Sequence, residues 1–287
     1  MAASGVDDAG ISYGVVVIQR ILMMVDGSFA AEASARYSLA LAKACGAELE
    51  LLFVAGDESG AAMKRAEESL RRLFRQAHSL GLKVRSVMEA GDPIKVMREH
   101  VAREKSALAV ASVTSAQLGR RLLRELPCAV MLVRVVHPGR MASPGEILVP
   151  VYPDEFEGGG LEEAADLLAK LGDYWQARIA LFQFKRPMTR FFGRELFGGG
   201  AGEREERKLH WFVAALTRRG LSPGRRVVWG RRIGKGITAE AAARRHDLIF
   251  LGMKGPRGFM RRFRAGTVEH LMRTTPCDLM LFRPAAA

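Results

Sequence analysis

Apolar positions along this chain follow two rhythms. Short continuous runs such as ELELLFV, ALAVASV and LIFLG suit strands buried on both faces, while the longer segments between them place apolar residues three and four apart, as covering helices require. In the first half the pattern predicts a strand VVVIQRILMMV and a helix from Ser28 ended by Gly46. A strand ELELLFV, a helix near Ala61 to Leu80, a strand LKVRSVME and a helix from Asp92 to about Lys105 come next. The strand ALAVASV, a short helix and a last strand AVMLVRV close the half, and the second half repeats the order, β-α-β-α-β-α-β-α-β.

The repetition extends to single residues. RELPCAVMLVR (Arg124 to Arg134) returns as RTTPCDLMLFR (Arg273 to Arg283), EKSALAVASV (Glu104 to Val113) as RRHDLIFLGM (Arg244 to Met253), and ILMMVDGS (Ile21 to Ser28) as ILVPVYPD (Ile147 to Asp154). The expected fold is therefore α/β, with two tandem doubly wound domains, each a five-stranded parallel sheet flanked by helices. HPGRMASPGE (His137 to Glu146) reads as the joint, which gives a tail over 1–15, a first domain over 16–140 and a second over 144–287, packed together because the linker is short. The closing strands AVMLVRV and LMLFR end their sheets and call for a cover or a partner strand.

Two insertions distinguish the copies. Val113 to Cys128 spans 15 positions where Met253 to Cys277 spans 24. The added piece lies in GMKGPRGFMRRFRAGT (Gly252 to Thr267). At the carboxyl end of a strand, glycine lets main-chain N–H groups approach an anion, and Gly266-Thr267 opens a helix whose positive end suits phosphate, with Lys254, Arg257 and Arg261 to Arg264 adding charge. A solvated basic loop is the competing reading. The other insertion, Lys185 to Glu205, with Phe191, Phe192, Phe197 and several glycines, reads either as a flap over its own domain or as a lid for a protein partner.

Composition narrows the field further. Of 287 residues 48% are hydrophobic, and 44 Lys and Arg against 31 Asp and Glu leave +13, so anionic partners come into consideration. Twenty-five of those cations lie from residue 141 onward, but no DNA- or RNA-reading motif accompanies them, and nucleic acid ranks last among the partners. Cys45, Cys128 and Cys277 form no CxxC and suit a reducing cytoplasm; Arg20 interrupts the first apolar run, so neither a leader nor a membrane span is expected. No catalytic triad, HExxH or Walker segment is present, and His210, His246 and His270 read as surface or packing residues. Asp154, Glu155 and Glu157 are a candidate hold for Mg²⁺ or a solvated acidic loop.

The repeated unit and the segment Gly252-x2-Gly255 … Gly266-Thr267 resemble the universal stress protein family, whose ATP-binding members carry G-x2-G-x9-G-[Ser/Thr]. The resemblance covers nearly the whole chain. It implies a regulatory protein with ATP or another adenine nucleotide, with or without Mg²⁺, held in the second domain by Val151, Tyr152, Gly252, Met253, Lys254, Gly255, Arg257, Gly266, Thr267 and Val268, and no assigned catalytic residue. It also implies that the closing strands pair as an internal pseudo-dimer, with a homodimer and an unnamed protein partner open. Three departures stand out. Ten residues, not nine, separate Gly255 from Gly266; Tyr152, two places after Pro150, stands where the family has aspartate; and Asp26 keeps that place in the copy without the glycine loop. Tyr152 either stacks on a purine or fills its pocket, and Asp26 is either a site remnant or a helix cap. The alternative function is a scaffold without nucleotide that works through 185–205.

Overall fold

A computed structural model describes residues 18–55, 60–104, 108–113, 115–139, 142–151, 160–185, 200–230, 232–253 and 266–285. The first half holds β1 (Arg20–Val25), α1 (Phe29–Cys45), β2 (Glu48–Ala55), α2 (Gly60–Ser79), β3 (Val84–Ala90), α3 (Pro93–Glu104), β4 (Leu108–Ser112), α4 (Ala116–Glu125) and β5 (Ala129–Arg134). The second repeats it as β6 (Glu146–Val151), α5 (Gly160–Trp175), β7 (Arg178–Lys185), α6 (Gly200–Thr217), β8 (Gly224–Trp229), α7 (Ile233–Ala243), β9 (Leu248–Gly252), α8 (Gly266–Thr274) and β10 (Asp278–Arg283). The protein is two tandem doubly wound α/β units.

Local chemistry sets the boundaries. Ser28 caps α1, its hydroxyl accepting from the Ala31 N–H, and Gly46 ends the helix in the left-handed conformation that costs glycine nothing. Asp92 accepts from the N–H groups of Ile94 and Lys95 and so opens α3. The first strand is shorter than its apolar run suggests. The strand proper is Arg20–Val25, paired with β2 and β4; Gln19 still accepts from the Glu48 N–H at 2.9 Å but lies outside the strand, and residues 15–17 lie outside the described set. The second insertion also contracts, since Lys185 completes β7 and residues 200–205 belong to α6; what is left of it, 186–199, is not described.

All ten strands form one sheet in the order β3-β2-β1-β4-β5-β10-β9-β6-β7-β8. Every neighbouring pair is parallel except β5 and β10, which run antiparallel and join the halves. The closing strands are therefore central, not edges. Leu132 pairs with Leu281, its own counterpart in the repeat, and Met131 with Phe282, Val133 with Met280, so a pseudo-twofold axis passes between the two leucines. Alternate strand residues feed two cores: Met23, Leu51, Met131, Leu181 and Met280 pack under α1, α2, α5 and α6, while Leu22, Ala111, Leu132, Ile249 and Leu281 pack under α3, α4, α7 and α8.

Side chains lock the joint beyond the main-chain ladder. Tyr37 of α1 donates its hydroxyl to Asp278 Oδ2 at 2.6 Å, and Asp278 Oδ1 accepts from the Val136 N–H at 2.8 Å. The Tyr37 ring meets Trp175 of α5 edge-on at 5.8 Å, and burial together with the Asp278 carboxylate raises the phenol's pKa far above its ordinary value. Arg283, fully buried, donates to the carbonyls of Leu126, Cys128 and Pro284. Tyr37→Phe removes a hydrogen bond to a half-buried carboxylate while keeping the ring contact. A loss of about 1.5–3 kcal/mol in urea-unfolding stability is expected for a bond to a charged group, and an unchanged midpoint would show the bond to be idle.

Candidate functional site

In a doubly wound sheet the ligand edge is the carboxyl end of the strands, at the point where successive connections leave for opposite faces. In the second half that point falls between β6, whose following helix α5 lies on one face, and β9, whose following helix α8 lies on the other. The ladder between them is short. It pairs only Ile147 with Leu248 and Leu148 with Ile249, whereas β1 and β4 in the first half pair over Ile21 to Met24.

Proline explains the difference. Gly145 accepts from Arg178 on the β7 side and Glu146 from Asp247 on the β9 side, so by alternation Leu148 and Pro150 turn their main-chain groups toward β9. Pro150 has no N–H to give, and the next rung is missing. Met24, its equivalent, keeps the rung opposite Ala111. The carboxyl ends of β6 and β9 are thus unpaired with each other where Val151 and Gly252 lead out.

Of the ten residues read from sequence, Val151, Gly252 and Met253 are buried at these strand ends, and Gly266, Thr267 and Val268 form the opening of α8, more exposed. The Met253 N–H is already taken by Phe282 O on the β10 side at 2.7 Å. A Cβ added at Gly266 would meet no atom of the described residues within 4 Å. Glu269 is ion-paired with Arg273 on α8's outer face. Tyr152, Lys254, Gly255 and Arg257, and the acidic residues Asp154, Glu155 and Glu157, lie outside the described residues. Among the described residues no group of three His, Cys, Asp or Glu is arranged to hold a metal ion, and no helix is long and apolar enough to cross a membrane.

The first half handles the same edge differently. Asp26 does not cap α1, a role that falls to Ser28; its carboxylate accepts from the Ser28 N–H at 2.8 Å and fixes the turn before the helix. Gly27 in that turn has φ 73°, and a Cβ there would come within 3.0 Å of the Ala66 backbone of α2. After β4 the chain reaches the Ser115 cap of α4 within three residues. The first half has no counterpart in sequence of the long segment that joins β9 to α8.

The sequence profile of the universal stress protein family matches residues 121–283. More than half of the chain is covered, and the chain belongs to that family. A universal stress protein from Archaeoglobus fulgidus has a similar structure, at 16% identity and a TM-score of 0.66 over 93% of this chain and 98% of that one. A functionally unknown protein from Pseudomonas aeruginosa PAO1 matches at 16% identity and a TM-score of 0.59 over 93% of each chain. Likeness at this identity establishes the fold. A family member from Arabidopsis thaliana, solved with AMP bound, matches 40% of this chain and 90% of its own at 15% identity and a TM-score of 0.34. No curated protein matches in sequence.

Two buried polar features escaped the sequence reading. In the first half His100 of α3 sits with Nε2 2.8 Å from Glu50 Oε1 and Nδ1 3.2 Å from Glu89 Oε1. Arg85 donates to Glu50 and Glu104, and Arg103 to Glu89, whose carboxyl Arg103 and His100 hold below the usual range. In the second half Gln183 of β7 is buried, and its Nε2 is shut from solvent with no hydrogen-bond partner among the described residues. Its repeat equivalent is Phe53, fully buried in the core, so a polar residue has entered a core position beside Val151. Only the Glu50 interruption of the run ELELLFV hinted at the first; nothing in the sequence marked the second. Of the histidines that were read, His246 is buried with neither nitrogen bonded, burial lowering its pKa, and His270 packs against Gly234 of α7.

These two features carry opposite expectations. His100→Ala removes one of the two partners of the buried Glu50 carboxylate while Arg85 remains, and should destabilise by about 1.5–3 kcal/mol. Gln183→Met keeps the volume and removes the orphan amide, and should stabilise by about 1 kcal/mol. Chemical unfolding of both variants checks the signs.

Proposed function

We propose that this protein is a nucleotide-responsive regulator that binds ATP or another adenine nucleotide at the carboxyl edge of its second domain. The observation that carries the reading is the withdrawal of the β6–β9 ladder at Pro150, at the strand edge from which the connection to the start of α8 at Gly266 leaves. In this reading the triphosphate end lies against the first-turn N–H groups of α8, with the Thr267 hydroxyl as a further donor and Lys254, Gly255 and Arg257 as further proposed contacts. Val151 and Tyr152 flank the base, with Met253 and Val268 as apolar walls. The residues that open α8 suit the phosphate end of such a ligand by their chemistry: a helix N-terminus, a glycine and a hydroxyl. Any Mg²⁺ would arrive with the nucleotide. Occupancy would be read out through the segments that frame the site, and no residue is assigned a catalytic step.

The first domain supports structure. Its edge is closed by the Asp26 turn, Gly27 against α2, and the short passage from β4 to α4.

Calorimetry with ATP, ADP and AMP tests the proposal on the wild type and on Gly266→Glu. The added side chain meets no atom of the described residues within 4 Å of its Cβ, so the variant should fold, and its carboxylate opposes an anion at the helix start. Affinity should fall at least about tenfold, near 1.4 kcal/mol. Absence of heat with every nucleotide on the wild type, or equal heats on both proteins, would sink the reading.

A further inference from the structure

The central seam uses β5 and β10, so the sheet ends in β3 on one side and β8 on the other. The two edges are equivalent in the repeat, Met88 lying opposite Phe53 and Val227 opposite Gln183 at matching places. Their sequences differ where it matters for pairing. The alternate positions are Ser86, Met88 and Ala90 on β3, but Arg225, Val227 and Trp229 on β8.

All of β8 except Val228 is exposed, Val227 at 50% and Trp229 at 63%. The Gly230 N–H donates to Lys185 O on β7. By alternation Arg226 and Val228 also turn their main-chain groups toward β7, and Arg225, Val227 and Trp229 turn N–H and C=O outward. No described strand meets them. The side chains of these three residues share one face, since they pair with Leu181, Gln183 and Lys185. Lys185 Nζ sits 5.9 Å from the centre of the Trp229 ring and is itself tied to Glu206.

We propose that β8 is a self-association strand, pairing antiparallel with β8 of a second copy of this chain about a twofold axis through Val227. In that register Val227 stands opposite its own copy, and Arg225 stands opposite the partner's Trp229, twice by symmetry. All three are pairs of the hydrogen-bonded kind, so every outward N–H and C=O of the three residues finds a partner. The Arg225 guanidinium comes over an indole face, an attraction the sequence offers at no other spacing along this strand. Moving the axis to Arg225 or Arg226 would set an arginine against its own copy. Pairing about Met88 of β3 would bring only Ser86 against Ala90, which explains why one edge is adhesive and its equivalent is not. The contact is isologous and closes at two chains. This inference is independent of the nucleotide reading.

Light scattering of the full chain across a concentration series tests it. Wild type should rise from the mass of one chain toward two. Val227→Lys places two ammonium groups on the axis, and Val227→Pro deletes an N–H that makes no bond to β7. Both should stay at one chain at concentrations where wild type is paired, with circular dichroism and melting unchanged. Val227→Cys should cross-link under mild oxidation, because on-axis residues of a hydrogen-bonded pair lie about 5.5 Å apart, within disulfide reach; Val228→Cys should not. The native thiols are a quiet background, since burial pushes Cys45 and Cys128 up to about 11 and Cys277 to about 12. A single-chain mass at every concentration would overturn the proposal, as would pairing that survives both Lys and Pro or equal cross-linking at 227 and 228. Capture of an acidic strand-forming peptide by a protein that stays monomeric would assign this edge to another occupant and equally overturn it.

Discussion

The antiparallel rung between Leu132 and Leu281 is the constraint from which the rest of the architecture follows. Each doubly wound unit would otherwise end in an apolar strand with one side bare, and AVMLVR and DLMLFR cover each other instead. Because the rung joins a residue to its own repeat equivalent, the duplication and the axis are one fact seen twice. Arg283 then reaches across to the carbonyls before β5, and Tyr37 reaches Asp278 from the other unit's helix. Asp278 has alanine, Ala129, as its equivalent in the first half, so the lock is asymmetric: one carboxylate serves both halves.

Antiparallel joining also separates the two ligand edges. All strands of one unit share a direction, and the seam reverses it, so the carboxyl ends of β1 and β4 lie at the opposite end of the sheet from those of β6 and β9. A ligand at one edge cannot be shared with the other. That independence removes any penalty at the second edge when the first is closed, and the first is closed in detail: Asp26 is spent on a turn and Gly27 on admitting α2.

Much of this was legible because it rests on short-range chemistry. Gly46 as a helix stop, the strand–helix alternation and the internal repeat each follow from a few adjacent residues; the apolar closing strands called for a cover, and only the family resemblance implied that they cover each other. Boundaries set by pairing were less legible. VVVIQRILMMV looks uniformly strand-like, yet only the part opposite β2 and β4 can form rungs. Asp26 looked like a cap by residue type, but Ser28 is two residues nearer the first free N–H groups. His100 and Gln183 were invisible because their meaning depends on neighbours about 50 residues away or on another strand: Glu50 is buried only if α3 delivers a histidine to it, and Gln183 is odd only against Phe53.

Pro150 shows how one residue type can be read twice. In sequence it is a blemish in a strand; in the sheet it lies at a position whose main chain faces β9, so its missing N–H costs a rung at the switch point and nowhere else, while pairing with β7 continues through Pro150 opposite Phe182. A proline one place earlier or later would have broken the β7 ladder instead and closed nothing less valuable. The strand keeps its place in the sheet through one neighbour and is released from the other, and the release occurs between the two segments that carry the unit's divergent residues. In the first half Met24 restores the rung, and the loop beyond β4 is correspondingly short. The opened ladder and the longer connection after the fourth strand occur together in the second half, and the intact ladder and the short connection occur together in the first.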